Sequence, residues 1–411
     1  MDEDDFRFAI NEAGGKVYIV GGWVRDHLLG AVPHDRDYVV AGVEEGVFLD
    51  VFPGAARVGG KFPVYRLEIG GDYCDVAFAR CERKRGLGYR GFEVIFSRRT
   101  TIEEDLYRRD TTINAMAIDL QNGELVDPFG GAKDASDGVV RAVSERFLDD
   151  PVRALRAARQ ACRFGFRIES GTVHMMKLCR DELRGEPRER FVNELALALN
   201  CAKPSVFFVN LLDAEILDVT FPQLHALVGV TQLRELHSGD VFAHSMEAVD
   251  RAAALSGRVE VRFAALVHDL GKAFTPGEIL SRHYGRDKRG VAALLEWNRR
   301  SPLPARWRRC AEFAIREHMR AWEVKKTSKI ADLLERIGRC PLGFDGFDAV
   351  LRADRCGTPR FWENRAELVE AMASSRAADA PPGLSGAALG RWIRERRTMA
   401  VAAMIPHHLQ L

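Results

Sequence analysis

Residues 21–40 read GGWVRDHLLGAVPHDRDYVV and bring two glycines, an arginine and two aspartates into close succession. The turn-forming residues separate a helix-like part from two apolar, strand-like parts. Residues 24–29 predict the first turns of a helix. Strands are predicted at residues 17–24, 36–41, 62–68 and 73–79. The pattern indicates a mixed α/β head domain, which we bound at residues 1–140.

Asp35 and Asp37 flank Arg36 at the start of the second predicted strand. Residues two apart on a strand share a face, so the two carboxylates repel each other unless a cation lies between them. Mg²⁺ suits that position because it takes few carboxylates and fills its other sites with phosphate and water. Asp75, in another predicted strand, would complete a two-metal site. A solvated turn with two acidic residues is the alternative.

Gly21 and Gly22 precede the predicted helix. Glycine allows backbone N–H groups to approach a phosphate closely, and a helix N-terminus favours an anion. Arg25 would offer a forked donor to the same triphosphate. A tight turn between a strand and a helix is the alternative explanation for the two glycines.

After Asp150 and Pro151 the pattern becomes helical. Apolar residues recur at helical spacing through residues 152–168, 191–199 and 205–217. Almost everything downstream predicts helix, with loops at residues 357–360 and 376–386. We therefore expect a helical neck at residues 141–225, a helical metal domain at residues 226–340 and a helical tail at residues 341–411.

The segment DDPVRALRAAR, residues 149–159, has the composition of a base-reading helix. Asp150 could cap the helix, with Arg153 on the same face and Arg156 and Arg159 at further steps of three. Cytosine and adenine present an amine beside an unprotonated ring nitrogen, whereas uracil and guanine present a carbonyl beside a ring N–H. A carboxylate beside a guanidinium therefore matches C and A, and each mismatched group costs about 1–3 kcal/mol. A capped helix with a solvated basic stripe is the alternative.

Several histidines and aspartates in the second half of the chain are candidate metal ligands. His268 and Asp269 lie together in VHDLGK, with His244 upstream and Asp354 downstream. Imidazoles and carboxylates on helices suit a divalent transition metal, whose identity the sequence leaves open. His283 and His318 are weaker candidate ligands.

The overall charge does not indicate a nucleic-acid-binding protein, because the net charge is only +1. Arginines are nevertheless dense between residues 80 and 109 and between residues 153 and 167, so a patch could bind a polyanion. The eight cysteines form no CxxC motif, which favours reduced thiols. No long apolar stretch and no export signal are visible, so we expect a cytoplasmic protein that does not contact a membrane.

Three motifs in order carry a family resemblance: GGxVRD, the Asp35–Asp37 pair, and RRDTTINAMAID at residues 108–119. Together they resemble the class II tRNA nucleotidyltransferase and bacterial poly(A) polymerase family, within the polymerase β superfamily. The resemblance implies Mg²⁺-dependent nucleotidyl transfer at Asp35 and Asp37. It also implies that Arg109 contacts the nucleotide phosphates and that Asp110 and Asn114 define the sugar pocket.

The neck carries further parts of the resemblance. DDPVR is similar to the family's base-recognition motif, which gives Asp150 and Arg153 the Watson–Crick-like role and Arg156 and Arg159 further nucleotide contacts. Asp149 stands where family members often have Glu. PRERFVNEL resembles a scaffold motif built on Glu189, Arg190 and Glu194, and residues 80–100 resemble the family's flexible loop.

The metal motif His244, His268–Asp269 and Asp354 resembles the HD phosphohydrolase superfamily. The resemblance implies a phosphomonoesterase or a 2′,3′-cyclic phosphodiesterase that trims damaged tRNA ends. Related fused enzymes carry more histidines near His283, where this chain has Tyr284 and Arg286.

The leading hypothesis is the addition of CCA to tRNA from CTP and ATP, with release of pyrophosphate. Poly(A) polymerase shares the head and neck, but residues 58–65, VGGKFPVY, are closer to the CCA type. Addition of CC or of A alone, and a hydrolase with an RNA-binding head, are further alternatives. A role of the tail in tRNA binding is expected, and monomer and homodimer both stay open.

Overall fold

The computed structural model describes residues 1–33, 35–58, 63–84, 86, 91–231, 239–275 and 285–405. They form two compact units. The first unit comprises Met1–Glu194 with Val206–Thr220, and the second comprises Leu195–Ser205 with Phe221–Leu411.

The first unit is built on a mixed seven-stranded sheet with the order β3-β4-β5-β2-β1-β8-β9. The strands of the unit are β1 Lys16–Val20, β2 Asp37–Ala41, β3 Ala56–Val58, β4 Val64–Ile69, β5 Asp72–Phe78, β6 Arg80–Lys84, β7 Phe92–Phe96, β8 Ala117–Asp119, β9 Leu125–Val126, β10 Val139–Val140 and β11 Arg167–Ile168. Within the sheet, β2 and β5 run parallel while β1 pairs antiparallel with β2 and β8. Two further pairs, β6 with β7 and β10 with β11, stand apart.

The helices that lie wholly or partly in the first unit are α1 Glu3–Glu12, α2 Gly22–Leu28, α3 Glu45–Val51, α4 Ile102–Tyr107, α5 Gly131–Ser136, α6 Arg153–Phe164, α7 Ser170–Leu178, α8 Arg180–Leu183, α9 Arg188–Leu199, α10 Ser205–Asp213 and α11 Leu217–Thr220. Of these, α9 and α10 contain the boundaries between the two units. Capping boxes begin α1, at Asp2 and Asp5, and α4, at Thr101 and Glu104. Both caps satisfy backbone donors that the first helical turn leaves open.

Both faces of the sheet are buried, and the strands alternate between them with period two. Val17 and Ile19 of β1 belong to one core cluster, with residues of α1 and α3, whereas Tyr18 and Val20 belong to the other, with residues of α4. In β2, Val39 belongs to the α4 cluster. Asp37, two residues earlier, therefore faces the α4 side of the sheet.

The second unit is helical in the residues described. Its helices are α12 Pro222–His225, α13 Val241–Leu255, α14 Val259–Val267, α15 Arg286–Arg300, α16 Ala305–Glu323, α17 Thr327–Arg339, α18 Gly343–Arg355, α19 Arg365–Ala373 and α20 Gly386–Met404. Short 3₁₀ helices occupy Leu270–Phe274, Arg360–Trp362 and Ala377–Asp379 in this unit, and Thr112–Asn114 and Glu145–Asp149 in the first unit. Helix α14 is central, because every residue from Val261 to Val267 is buried and α13, α16 and α18 pack against it.

The predicted fold class, an α/β head followed by helices, is confirmed. The predicted C-terminal ends of two helices were wrong. The helix expected at residues 152–168 ends at Phe164, because Gly165 adopts a left-handed conformation with φ 70° and β11 follows. The helix expected at residues 205–217 ends at Asp213. Among the residues described, no helix combines the length and the apolar character that a membrane crossing requires.

Candidate active site and metal centre

Three aspartates meet at one end of the head sheet. Asp37 begins β2 and is the direct Cα partner of Asp75 on the parallel strand β5, so the two side chains leave neighbouring strands on the same face. Asp35 lies two residues before β2 begins, so the predicted placement of both carboxylates on one strand was wrong. Partial desolvation raises the pKa of Asp37, as do Asp75 and Asp35, while Arg109 opposes the rise. Clustered carboxylates form the donor set that Mg²⁺ prefers.

The Gly21–Gly22 turn brings two guanidinium groups together. Gly21 has φ 70°, and a Cβ built there would lie 3.2 Å from Nη1 of Arg109. A Cβ at Gly22, the first residue of α2, would lie 3.4 Å from Nη2 of Arg25. The bare backbone of this turn and two cations therefore line one spot, as an anion-binding turn requires.

Arg25 is held inside the protein. Its Nε and Nη2 donate to Oδ1 of Asp26 at 2.8 and 2.7 Å, and its Nη1 donates to the side-chain oxygen of Asn114. The guanidinium also stacks 4.5 Å above the ring of Phe164. Burial lowers the pKa of Arg25, although Asp26 opposes that shift. The forked contact of Arg25 with a triphosphate remains a prediction.

Arg109 is oriented by a carboxylate that the sequence reasoning missed. Asp105 on α4 is fully buried and accepts hydrogen bonds from Nε and Nη2 of Arg109, at 3.3 and 3.0 Å. Its other oxygen accepts from Arg108. Burial would raise the pKa of Asp105, but Arg108 and Arg109 lower it. The i, i+3 and i, i+4 spacing in DLYRRD was the available signal.

Asp110 joins the head motif to α6. Its Oδ1 accepts from the Thr111 amide at 2.8 Å and from Nδ2 of Asn114 at 3.2 Å. Its Oδ2 accepts from Nε2 of Gln160 at 3.1 Å and lies 2.9 Å from Nε of Arg156. Burial alone would raise the pKa of Asp110, but Arg156, Arg153 and the hydrogen bonds lower it to about 2. Asp110 and Asn114 therefore lie side by side, and their role in a sugar pocket remains a prediction.

Asp150 does not occupy the N-cap position that the sequence predicted, and it does not pair with Arg153. The N-cap of α6 is Val152, because residues 150–152 form a turn in which the Asp150 carbonyl accepts from the Arg153 amide at 3.0 Å. The Asp150 carboxylate accepts two hydrogen bonds from Arg190, at 2.9 and 2.6 Å, and its Oδ1 also accepts from the Val152 amide at 3.2 Å. Nη1 of Arg153 donates to the Arg146 carbonyl at 2.6 Å. The two side chains are therefore fixed independently, each by its own partner.

The arginines of α6 do not form a solvated stripe. Arg156 pairs with Asp110, Arg159 donates to Oε2 of Glu194 at 2.5 Å, and Arg163 donates to Oδ2 of Asp26 at 3.0 Å. The carboxylates that hold these guanidiniums come from distant parts of the chain. The basic character of this segment is therefore largely used within the first unit.

The second unit gathers His244 from α13, His268 and Asp269 from the end of α14, and Asp354 from α18. One ligand atom from each lies within 4.8 Å of all the others. Nε2 of His244 and Nε2 of His268 are 3.2 Å apart, and they lie 3.2 and 3.4 Å from Oδ1 of Asp354. All four residues are buried. The structure thus brings together the four tentative ligands, and a single divalent ion fits their spacing and chemistry.

His318 also faces this cluster, whereas His283 and Tyr284 lie outside the described residues. Nε2 of His318 is 3.5 Å from Oδ1 of Asp269. Its Nδ1 contacts the Ala314 carbonyl at 2.8 Å, as Nδ1 of His268 contacts the Ala265 carbonyl at 2.7 Å. Such contacts direct the opposite ring nitrogens towards the centre.

Charge and hydrogen bonding both fit a cation at this cluster. Nε2 of His318 is buried without a hydrogen-bond partner among the described residues. Burial would lower the pKa of His268, but Asp269 and Asp354 raise it. The same contacts hold the pKa of Asp354 well below its ordinary value, against the effect of burial. The cluster therefore favours positive charge at its centre.

Comparisons with known proteins agree with this geometry. Three family models match: Poly A polymerase head domain at residues 17–141, Probable RNA and SrmB- binding site of polymerase A at 165–228, and HD domain at 241–340. A multifunctional CCA protein of Xanthomonas euvesicatoria pv. vesicatoria is 40% identical, covering 94% of this chain and 98% of its own. Structures of CCA-adding enzyme with ATP and with CTP share the fold, with TM-scores of 0.69 and 0.66. Each is 23% identical over 97% of this chain and 89% of its own.

Asp110→Asn should destabilise the first unit by about 3 kcal/mol at neutral pH, because it removes the charge of a buried carboxylate that pairs with Arg156. The pKa of Asp110 is lowered in the folded state, so its contribution is present above the ordinary value of 3.8 and is lost as the pH falls towards about 2. Urea unfolding of both proteins between pH 7 and pH 2 measures the difference. It should shrink below about pH 4. The exposed Asp137→Asn serves as control, and a gap that stays constant with pH contradicts the assignment.

Proposed function

This chain belongs to the family of multifunctional CCA proteins, and we propose that it adds C, C and A to the 3′ end of tRNA, using CTP and ATP and releasing pyrophosphate. The observation that carries the proposal is the meeting of Asp35, Asp37 and Asp75 beside the turn at Gly21 and Gly22. Carboxylates for a metal and a cationic turn for phosphates are the two parts that nucleotidyl transfer needs.

In this proposal the terminal ribose 3′-hydroxyl attacks the α-phosphate of the bound nucleotide, and pyrophosphate leaves. Mg²⁺ held by Asp35 and Asp37 would supply the charge that activates the hydroxyl and stabilises the leaving oxygen. Arg109, oriented by Asp105, would bind the phosphates above the glycine turn. Because Asp105 holds that guanidinium before substrate arrives, less rotational freedom is lost when the nucleotide binds.

Base selection is proposed for the beginning of α6. Asp150 would accept from the amine of C or A, and Arg153 would donate to the ring nitrogen beside it. Each side chain is held by a hydrogen bond: the Asp150 carboxylate accepts from Arg190, and Arg153 donates to the Arg146 carbonyl. Rigid anchoring favours selection, since a side chain that cannot turn away leaves a mismatched base unpaired.

Poly(A) polymerase remains the nearest alternative in chemistry. The 40% identity over nearly the full chain is to a multifunctional CCA protein, and the HD domain model matches residues 241–340. Both observations favour CCA addition. The proposed partners are accordingly tRNA, CTP and ATP, in the cytoplasm, with the helical tail at residues 341–411 contributing to tRNA binding.

For the second unit we propose a phosphomonoesterase or 2′,3′-cyclic phosphodiesterase activity on tRNA ends. A divalent transition metal would be held by His244, His268, Asp269 and Asp354, with His318 beside them. When bound, the metal would polarise the phosphate and supply an activated water. The contacts of His268 and His318 with backbone carbonyls would keep their Nε2 atoms aimed at the centre.

Asp37→Ala and Asp35→Ala should abolish the addition of both C and A while leaving tRNA binding largely intact, because the carboxylates are needed for the metal and not for RNA. Extension of tRNA lacking its CCA end, together with a filter-binding titration, measures both quantities. Asp50→Ala, an exposed carboxylate on α3, is the control. Retained incorporation in a folded Asp37→Ala protein rules out the site.

Asp150→Ala should weaken the preference for CTP and ATP over UTP and GTP by roughly two orders of magnitude in relative kcat/KM. Incorporation of all four nucleotides is measured beside the melting temperature. Glu186→Ala is the matched control, since it removes the other carboxylate that Arg190 contacts and leaves Asp150 in place. If Asp150 is only a structural partner of Arg190, its variant is less stable and just as strict, and the base-reading role fails.

His268→Ala and Asp269→Ala should remove hydrolysis of a 2′,3′-cyclic phosphate and spare CCA addition, because the two sites lie in different compact units. Conversion of 2′,3′-cyclic AMP to adenosine 2′- or 3′-monophosphate and extension of tRNA are assayed on the same preparations. The exposed His225→Ala should change neither activity. Loss of CCA addition in a folded His268→Ala protein means that the two activities are not separate.

A further inference from the structure

We propose that the metal centre of the second unit holds one divalent ion, and that Arg286 supplies the positive charge on the side where a second ion would lie. The centre would then bind a phosphate ester between one ion and a guanidinium. The inference rests on the hydrolase activity proposed above and specifies how that site is charged.

The first argument is the use of the carboxylate oxygens. One oxygen of each aspartate faces the two histidines: Oδ2 of Asp269 is 3.4 Å from Nε2 of His268, and Oδ1 of Asp354 lies near both rings. These atoms fit a single ion. A second ion bridged by the same aspartates would need their other oxygens, Oδ1 of Asp269 and Oδ2 of Asp354.

Those other oxygens already face cationic side chains. Nη1 of Arg286 lies 3.9 Å from Oδ1 of Asp269, and Nε of Arg355 lies 3.5 Å from Oδ2 of Asp354. Neither oxygen has a hydrogen-bond partner among the described residues, so both contacts are electrostatic rather than closed hydrogen bonds. A guanidinium cannot lose its charge, and it repels a divalent ion placed beside it.

The fold fixes Arg286 in this place. Arg286 begins α15, and its carbonyl oxygen lies 1.8 Å from where a Cβ on Gly271 would be. A Cβ on Gly290, one turn further along α15, would lie 3.0 Å from the Gly271 nitrogen. The turn after Asp269 and the start of α15 are therefore in backbone contact that only glycine permits. Arg286 is held at the centre by this packing.

The charge of the centre then requires an anion. Lys272 lies 2.6 Å from Oδ2 of Asp269, so Lys272, Arg286 and Arg355 set three positive charges against two carboxylates. One divalent ion, with neutral imidazoles, leaves three positive charges in excess in a largely buried place. A phosphate ester offsets that excess and offers oxygens to both the ion and the Arg286 fork.

The first test is metal content after saturation with Mn²⁺ and with Ni²⁺ and removal of excess ion, measured by plasma mass spectrometry on the full chain. The count of a variant carrying both His268→Ala and Asp269→Ala is subtracted, so that ions held by the carboxylates of the head are not included. We expect one ion per chain in the natural protein and in Arg286→Lys, and two in Arg286→His, where a ligand replaces the repelling charge. Arg299→Ala, an exposed arginine of the same helix, should stay at one. Two ions in the natural protein, or one in Arg286→His, overturns the inference. A protein that binds no ion contradicts the proposed hydrolase as well.

The second test measures, by calorimetry, the binding of inorganic phosphate to the protein loaded with one ion. Arg286→Ala should weaken phosphate binding at least about tenfold, because a charge-assisted hydrogen bond is lost, and Arg286→Lys should recover part of it. Arg299→Ala should bind like the natural protein. Equal phosphate affinity in Arg286→Ala and the natural protein, with metal still bound, removes the role of Arg286 and leaves the hydrolase proposal standing.

Discussion

The buried carboxylate of Asp110 is the contact on which the first unit depends. It follows the head motif in sequence, yet two of its partners, Arg156 and Gln160, lie on α6 in the neck. A buried charge is tolerated only when it is fully partnered, so the head motif and α6 can adopt few other relative positions. The proposed phosphate-binding and base-reading groups are thereby held in one frame. Asp26 adds a second link, because it contacts both Arg25 and Arg163.

Several arginines of the two arginine-rich segments are paired with carboxylates of the first unit. The arginine-rich segments suggested a surface for a polyanion, yet Arg108 and Arg109 share the buried Asp105, and Arg159 contacts Glu194. Burial and Arg108 lower the pKa of Arg80 to about 10, against Glu82 and Asp105. Arginine suits such places because its planar fork can satisfy two acceptors at once. Paired guanidiniums hold a precise geometry, which nucleotide selection needs more than a diffuse positive field.

In the second unit, the candidate metal ligands lie at the end of a buried helix. Helix α14 is buried from Val261 to Val267, and His268 and Asp269 follow directly at its end. The neighbouring helices α13 and α18 bring His244 and Asp354 to the same point. Gly271 and Gly290 then allow α15 to approach closely enough for Arg286 to face Asp269. The metal ligands and the cationic groups around them are thus products of one packing arrangement.

The sequence by itself determined the fold class, an α/β head followed by helices, and it singled out the aspartates of the head and the four candidate ligands of the metal centre. These depend on local periodicity and on residue types at short spacing, which a chain carries before it folds. Only the tertiary structure decided that Asp150 is held by Arg190, that Asp105 orients Arg109, and that Arg286 faces Asp269. Several carboxylates compete for each arginine in a chain with 60 basic and 59 acidic residues. Which pair forms depends on which side chains the packing buries together, since burial is what makes one pairing much stronger than its rivals.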